Sequence, residues 1–309
     1  MAADPPPPDR PREGSSTFAD LSQMAQVLGQ FVAPATLLAG LLFYWGFFHA
    51  RGFCGYFGID SQVLGFSTTD YVMRSADGLF IPLAVCAVVT LAFTWGRVAI
   101  PPVVLHGALP KWVLIAGVIA GALLLLNGLS QLWFDNPLNW TIGVAPSCSI
   151  IGLLLLWGVV RTRRRQLAAG SMTAPSTTTP LEWGLVFLLV AGSFFWGATD
   201  YSLAVGIGRA QRFETETLRT APGLTIYAEK ALDLRAPGVT ATACTTPDSV
   251  YRYRYDGLVL VMMAGDNLVT VPRTWSRAQG SAMVLSRSAS GAMRLEFTRP
   301  ATAKPPAMC

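Results

Sequence analysis

The residues with chemistry to offer in this 309-residue chain are few and fall into three groups. Cys54, Cys244 and Cys309 lie in polar stretches, where an oxidising compartment lets two thiols close a disulfide, and Cys244 with either Cys54 or Cys309 is the expected pair. Cys86 and Cys148 sit inside apolar runs and read as packing residues. The second group, Arg252, Arg254, Arg273 and Arg277, is either an anion-binding face or a set of charges on a solvated strand surface. The third is Asn127 with Gln131 one helical turn further on, in a run that is otherwise apolar. Two such amides on one helical face either line a path or hydrogen-bond to a neighbouring helix.

Catalytic machinery is not legible. The histidines are His49 and His106, both at the edges of apolar runs, so a His-based triad or a zinc site has little to draw on. No P-loop, GxSxG or HExxH occurs, and Gly206-x-Gly208 lacks the preceding strand of a dinucleotide site. The expectation is a non-enzyme without cofactor, metal or nucleic-acid partner.

The elements that must position these residues are dominated by five apolar stretches, Phe31 to Phe48, Gly78 to Gly96, Trp112 to Phe134, Trp140 to Val160 and Leu181 to Ala198. Each runs 18 to 23 residues without a charge, the length a helix needs to cross a hydrocarbon layer of roughly 30 Å. Arg74, Asp77, Asp135, Glu182 and Asp200 fall at their ends. Trp45, Trp95, Trp112, Trp133, Trp140, Trp157, Trp183 and Trp196 also lie near the ends, where an indole pairs an apolar ring with a water-seeking N–H. With 52% hydrophobic and 13% charged residues and a mean hydropathy of +0.43, the composition predicts an integral membrane protein. Gly117 and Gly121 form a GxxxG pair suited to close helix contact.

Orientation follows from basic residues in the connections. Arg161, Arg163, Arg164 and Arg165 make the densest cluster, whereas the loop Asp135 to Asn139 has no basic residue. The positive-inside rule therefore puts the N-terminus in the cytoplasm and, after five crossings, the C-terminus outside a plasma membrane. Residues 1–22, proline-rich at their start, are expected to form a disordered cytoplasmic tail, 23–208 the transmembrane domain, and 300–309 a flexible tail. SMTAPSTTTP, Ser171 to Pro180, is a second flexible segment.

The loop 51–77 carries GFCGYFGID and LGFSTTDYVMRS. Thr68 or Thr69 is expected to cap a helix beginning at Asp70, with Asp70 and Arg74 pairing on its surface. The loop either orders the outer ends of the spans or offers a ligand surface. After Asp200 the helical pattern continues toward Pro222-Gly223, so residues 209–222 are expected as a helical stalk. Beyond it the apolar period becomes two, over Leu224 to Ala228, Leu232 to Leu234, Val239 to Ala243, Val250 to Tyr255, Leu258 to Met263, Leu268 to Val271, Ala282 to Leu285 and Met293 to Phe297. Asp256-Gly257 and Gly265-Asp266-Asn267 read as hairpin turns. The fold class is thus five transmembrane helices followed by a small, mostly antiparallel β domain, 223–299. From Arg209 onward there are 13 basic and 8 acidic residues, against 10 of each before it, so the whole net charge of +5 lies beyond residue 208. A basic domain of this kind is drawn to lipid headgroups, an anionic envelope polymer or another membrane protein.

GYFGID, LGFSTTDYVMRS, ATDYSLAVGIGRAQRF and YRYRYDGLVLV followed by Pro272 and Trp275 together resemble a group of uncharacterised multi-pass membrane proteins of high-GC Gram-positive bacteria. The resemblance covers most of the chain except its termini. It implies a bacterial plasma membrane and brings no activity, substrate or site residues with it.

Overall fold

The computed structural model describes residues 15–99, 110–169, 179–246, 249–288 and 291–299, with residues 15–34 described in backbone only. Its α-helices are α1 (Ser15–Tyr56), α2 (Thr68–Ala99), α3 (Lys111–Ser130), α4 (Val144–Ala169) and α5 (Pro180–Arg212). Among the described residues four helical segments are long and apolar enough to cross a membrane, Gly78–Gly96, Lys111–Ser130, Val144–Leu167 and Pro180–Thr217. Only 6% to 22% of each is buried inside the protein, so an apolar solvent must cover the rest. The first expected stretch, Phe31 to Phe48, is helical within α1. The same helix includes residues 15–22, which the sequence pattern assigns to the tail.

Missing side chains set the helix contacts. Where α1 crosses α5, a Cβ on Gly52 would collide with the Leu203 carbonyl and one on Gly206 with the His49 carbonyl, so each helix uses a glycine to admit the other's backbone. Ser202 Oγ donates to the Trp45 carbonyl at 2.7 Å in the same seam. This close approach explains why a glycine persists in a helix that it would otherwise weaken. Gly117 and Gly121 of α3 do lie in an interface, facing Val159 and Gly152 of α4. Tryptophans 95, 112 and 183 are exposed at one end of the bundle and Trp133 and Trp140 at the other, as interfacial rings would be. Trp45 is different: at 5% exposure it packs with Leu79 and Ala198 and belongs to the core.

The start of α2 is capped one residue earlier than the threonines suggest. Asp70 Oδ2 accepts from Ser67 N at 2.9 Å and Ser67 Oγ at 2.8 Å, while Ser67 Oγ accepts from Asp70 N at 3.2 Å, a reciprocal box. Those bonds hold the Asp70 carboxyl below its usual pKa. With Asp70 so engaged, Arg74 lies over the Phe66 ring, 4.8 Å from its centroid, in place of the expected surface ion pair.

After α5 the chain turns through Phe213–Thr217 and enters an antiparallel sheet of β1 (Gly223–Ala228), β2 (Thr240–Ala243), β3 (Tyr253–Ala264), β4 (Asn267–Pro272), β5 (Met283–Ser286) and β6 (Met293–Thr298). The order is β5-β4-β3-β1-β6, with β2 pairing β3 as well. Gly265-Asp266 makes a tight hairpin in which Ala264 pairs with Asn267. Asp256-Gly257 does not turn the chain. It lies inside the long strand β3, where Leu224 pairs with Leu258 and Ile226 with Tyr255, so three steps on β3 oppose two on β1. This is a bulge, with Gly257 at φ +88° and no room for a Cβ against the Gly238 carbonyl. A hairpin and a bulge both call for glycine at positive φ, which is why the dipeptide alone misleads. Leu232 to Leu234, expected as a strand, is irregular chain packed against the sheet core.

One sheet face closes over Leu224, Ile226, Tyr255, Leu258 and Leu268. The opposite face rests on the helices: Val259, Val271 and Trp275 pack against Phe57, Ala210, Leu218 and Ala221, and Ala264 and Val269 against Cys54 and Leu64. The loop that follows α1 is therefore the seat of the β domain. Asn267 Nδ2 ties the β3–β4 hairpin to the Leu64 carbonyl at 3.1 Å.

Candidate functional site

The four arginines singled out in the sequence do not share a face. Arg252 is exposed. Arg254, at 4% exposure, is buried, with its Nε 3.0 Å from Asp256 Oδ2. Asp256 Oδ1 also accepts from Thr225 Oγ1 at 2.9 Å. Arg254 pairs across the sheet with Tyr227, whose ring centroid lies 5.8 Å from its guanidinium and helps to cover the charge. Arg273 is spent on backbone, donating to the carbonyls of Arg219 and Ala221, each at 2.8 Å, so it clamps the end of β4 to the chain leaving α5. Arg277 alone of the four stands over the helix ends, 4.9 Å above the Tyr56 ring.

Arg277 forms one rim of a cleft of about 470 Å³ between the end of α1, α5 and the loop after α1. Its position is set by Glu214: Oε1 accepts from Arg277 N at 3.2 Å, and Oε2 accepts from the Tyr56 hydroxyl. Burial, with the Glu214 carboxylate adding to it, raises the Tyr56 phenol above its ordinary pKa, so this hydroxyl stays a donor. Arg51 from α1 also lines the cleft, and neither it nor Arg277 forms an ion pair among the described residues. Between them the wall is polar, with Asp60 and the fully buried Ser61, whose hydroxyl has no hydrogen-bond partner among the described residues. Toward the helices the lining is apolar, through Phe47, Leu203 and Ile207. Gly52 and Gly55 keep the floor low. Two cationic groups above a polar wall and an apolar floor suit an amphiphile with an anionic head.

Asn127 and Gln131 part company. Asn127 Nδ2 donates to Asn139 Oδ1 at 2.9 Å, its Oδ1 accepts from Asn136 Nδ2 at 3.0 Å, and its carbonyl accepts from Asn139 Nδ2 at 2.8 Å. The amide ties α3 to the loop leading into α4. Gln131 instead lines a second cleft, of about 460 Å³, with Trp140, Trp196 and Asp200, which shares Leu203 and Ile207 with the first. The asparagines at 136 and 139 are readable as polar loop residues in the sequence, but nothing there marks them as partners of Asn127.

Among the cysteines, Cys244 is disulfide-bonded, while Cys54, Cys86 and Cys148 are free. Of the two partners considered for Cys244, Cys54 is thus excluded, and Cys309 lies outside the described residues. Burial beneath Leu64, Ala264 and Val269 pushes the Cys54 thiol up to about 11. His49 is buried in the α1–α5 seam, and His106 lies outside the described residues. Among the described residues no group of three or more His, Cys, Asp or Glu is placed to hold a metal ion. Comparison with protein-family models, with curated proteins and with solved structures finds no match.

Proposed function

We propose that this chain is a non-enzymatic, multi-pass protein of the plasma membrane, with α1 as its fifth crossing and a cytoplasmic N-terminus. Its exterior β domain and the loop after α1 act together as an envelope-binding sensor or assembly subunit. The observation that carries this reading is the seating of the sheet. Phe57, Phe213 and Trp275 meet in one apolar cluster with Leu218, Val259 and Val271, so the β domain is joined to α1 and α5 at once. A ligand that shifts the sheet would move both helices. The net charge of +5 beyond residue 208 supports an anionic envelope component as the ligand.

The rival reading is a transporter or channel subunit with a path near Asn127 and Gln131. Against it stands the saturation of the Asn127 amide by Asn136 and Asn139, which leaves no polar edge of Asn127 turned to a pore. The two readings separate in mild detergent. The wild-type chain should run in an assembly larger than a monomer, and Trp275→Asp, which places a carboxylate in the apolar seat, should stay in the membrane but run as a monomer. Identical migration of the two, or solute flux in reconstituted vesicles that Asn127→Leu abolishes, would overturn the proposal in favour of transport.

A further inference from the structure

We infer that the cleft lined by Arg51 and Arg277 is a binding site for one anionic phospholipid, with the phosphodiester held by the two guanidinium groups and an acyl chain descending over Phe47. This deepens the envelope-binding reading and rests on it. The geometry points to a lipid because the cleft opens at the end of the apolar stretch of α1, with Phe47 in its lining on the membrane side of Arg51. Arg51 follows directly on the apolar stretch of α1, so its guanidinium stands at headgroup level, and Phe47 below it is one turn deeper. Arg277 reaches the same level from the β domain, held over Tyr56. Guanidinium groups pair with phosphate oxygens in a bidentate fork, and neither of these two forms an ion pair among the described residues, although Asp60 lines the same cleft. The buried Ser61 hydroxyl supplies a donor that the protein leaves unused. Leu203 and Ile207 of α5 stand level with Gly52 and give the headgroup region of the cleft an apolar side wall.

Lipid binding would bridge the β domain to α1, because the two arginines come from different parts of the fold. The test uses the full chain in detergent, with native mass spectrometry after addition of phosphatidylglycerol or phosphatidylcholine. The wild type should retain one phosphatidylglycerol in preference to phosphatidylcholine. Arg51→Gln and Arg277→Gln should each weaken retention about fivefold, as expected for one basic group at an anionic surface, and the pair should abolish it. Arg252→Gln with Arg287→Gln removes the same charge elsewhere and should leave retention unchanged. A second variant guards against misfolding: Gly55 has open space where its Cβ would stand, so Gly55→Leu fills the cleft without removing charge and should also abolish retention. In each variant the protected Cys54 thiol reports that the sheet is still seated. Displacement by glycerol phosphate as strongly as by lipid would mean a site for free phosphoesters and overturn the lipid assignment. Equal retention in wild type, double variant and Gly55→Leu would overturn the site. A larger assembly that persists without lipid retention would sink this inference and leave the envelope-binding role standing.

Discussion

Arg254 shows how one position can change an interpretation. In the alternating run Tyr251 to Tyr255 it looks like a surface charge, yet it is buried against Asp256 and beside Tyr227, its partner across the sheet. A buried ion pair contributes little when compared with apolar residues of like shape, but removing one partner strands the other without water. Asp256→Ala should therefore destabilise the β domain by about 3–5 kcal/mol, whereas Arg254→Met combined with Asp256→Leu should cost far less. The measurement is protease susceptibility of the β domain in the full chain against urea concentration. Equal losses in the single and double variants would show that the pair is not what holds this corner. Ser61 could not have been singled out from the sequence, since what distinguishes it is an unpartnered oxygen in a place only the fold defines, whereas Gln131 was legible as a polar residue in an apolar run but not as one that parts from Asn127.

At the scale of elements, the seat between the sheet and the end of α1 controls Cys54. Its thiol is covered by Leu64, Ala264 and Val269, and burial raises its pKa from 9.0 to about 11. With the folded value above the unfolded one, the neutral thiol's contribution to stability is complete below pH 9.0 and is lost as pH rises toward about 11. Alkylation at pH 8 should therefore leave Cys54 unmodified in the native chain and label it after denaturation. Trp275→Ala removes the ring that packs 4.8 Å from Phe57, and should raise the labelling rate at least tenfold while the helices stay in the membrane. Labelling as slow as in the wild type would mean that Trp275 does not hold the seat. Spans were legible because lipid demands long uncharged runs, and strands because they alternate. The seat was not, since Cys54, Leu64 and Val269 are separated by up to 215 positions and only the tertiary fold brings them into one cluster. The Asp256-Gly257 bulge was hidden for a different reason, the shared need of turns and bulges for a left-handed residue.

Across the whole molecule, charge is divided between the two ends of the bundle. At the end away from the sheet, Arg161 lies over Trp157 and Trp183, 5.3 Å and 5.6 Å from their ring centroids, and Arg164 pairs with Glu182. At the other end, the α3–α4 connection exposes Trp133 and Trp140 beside a loop, Asp135 to Asn139, with no basic residue. Basic side chains resist transfer across a bilayer, so the end with the arginine cluster is expected to remain in the cytoplasm. A thiol reagent that cannot cross the membrane should then label Ser276→Cys in intact cells, since Ser276 is an exposed residue of the β domain. It should label Ser176→Cys, in the connection between α4 and α5, only after the cells are permeabilised. Both variants are read on a Cys86→Ser, Cys148→Ser background, so that the buried Cys54 is the one native free thiol left among the described residues. Labelling in the reverse pattern would put the β domain in the cytoplasm. The lipid cleft would then face the inner leaflet, and a role for the β domain in binding the outer envelope would fail.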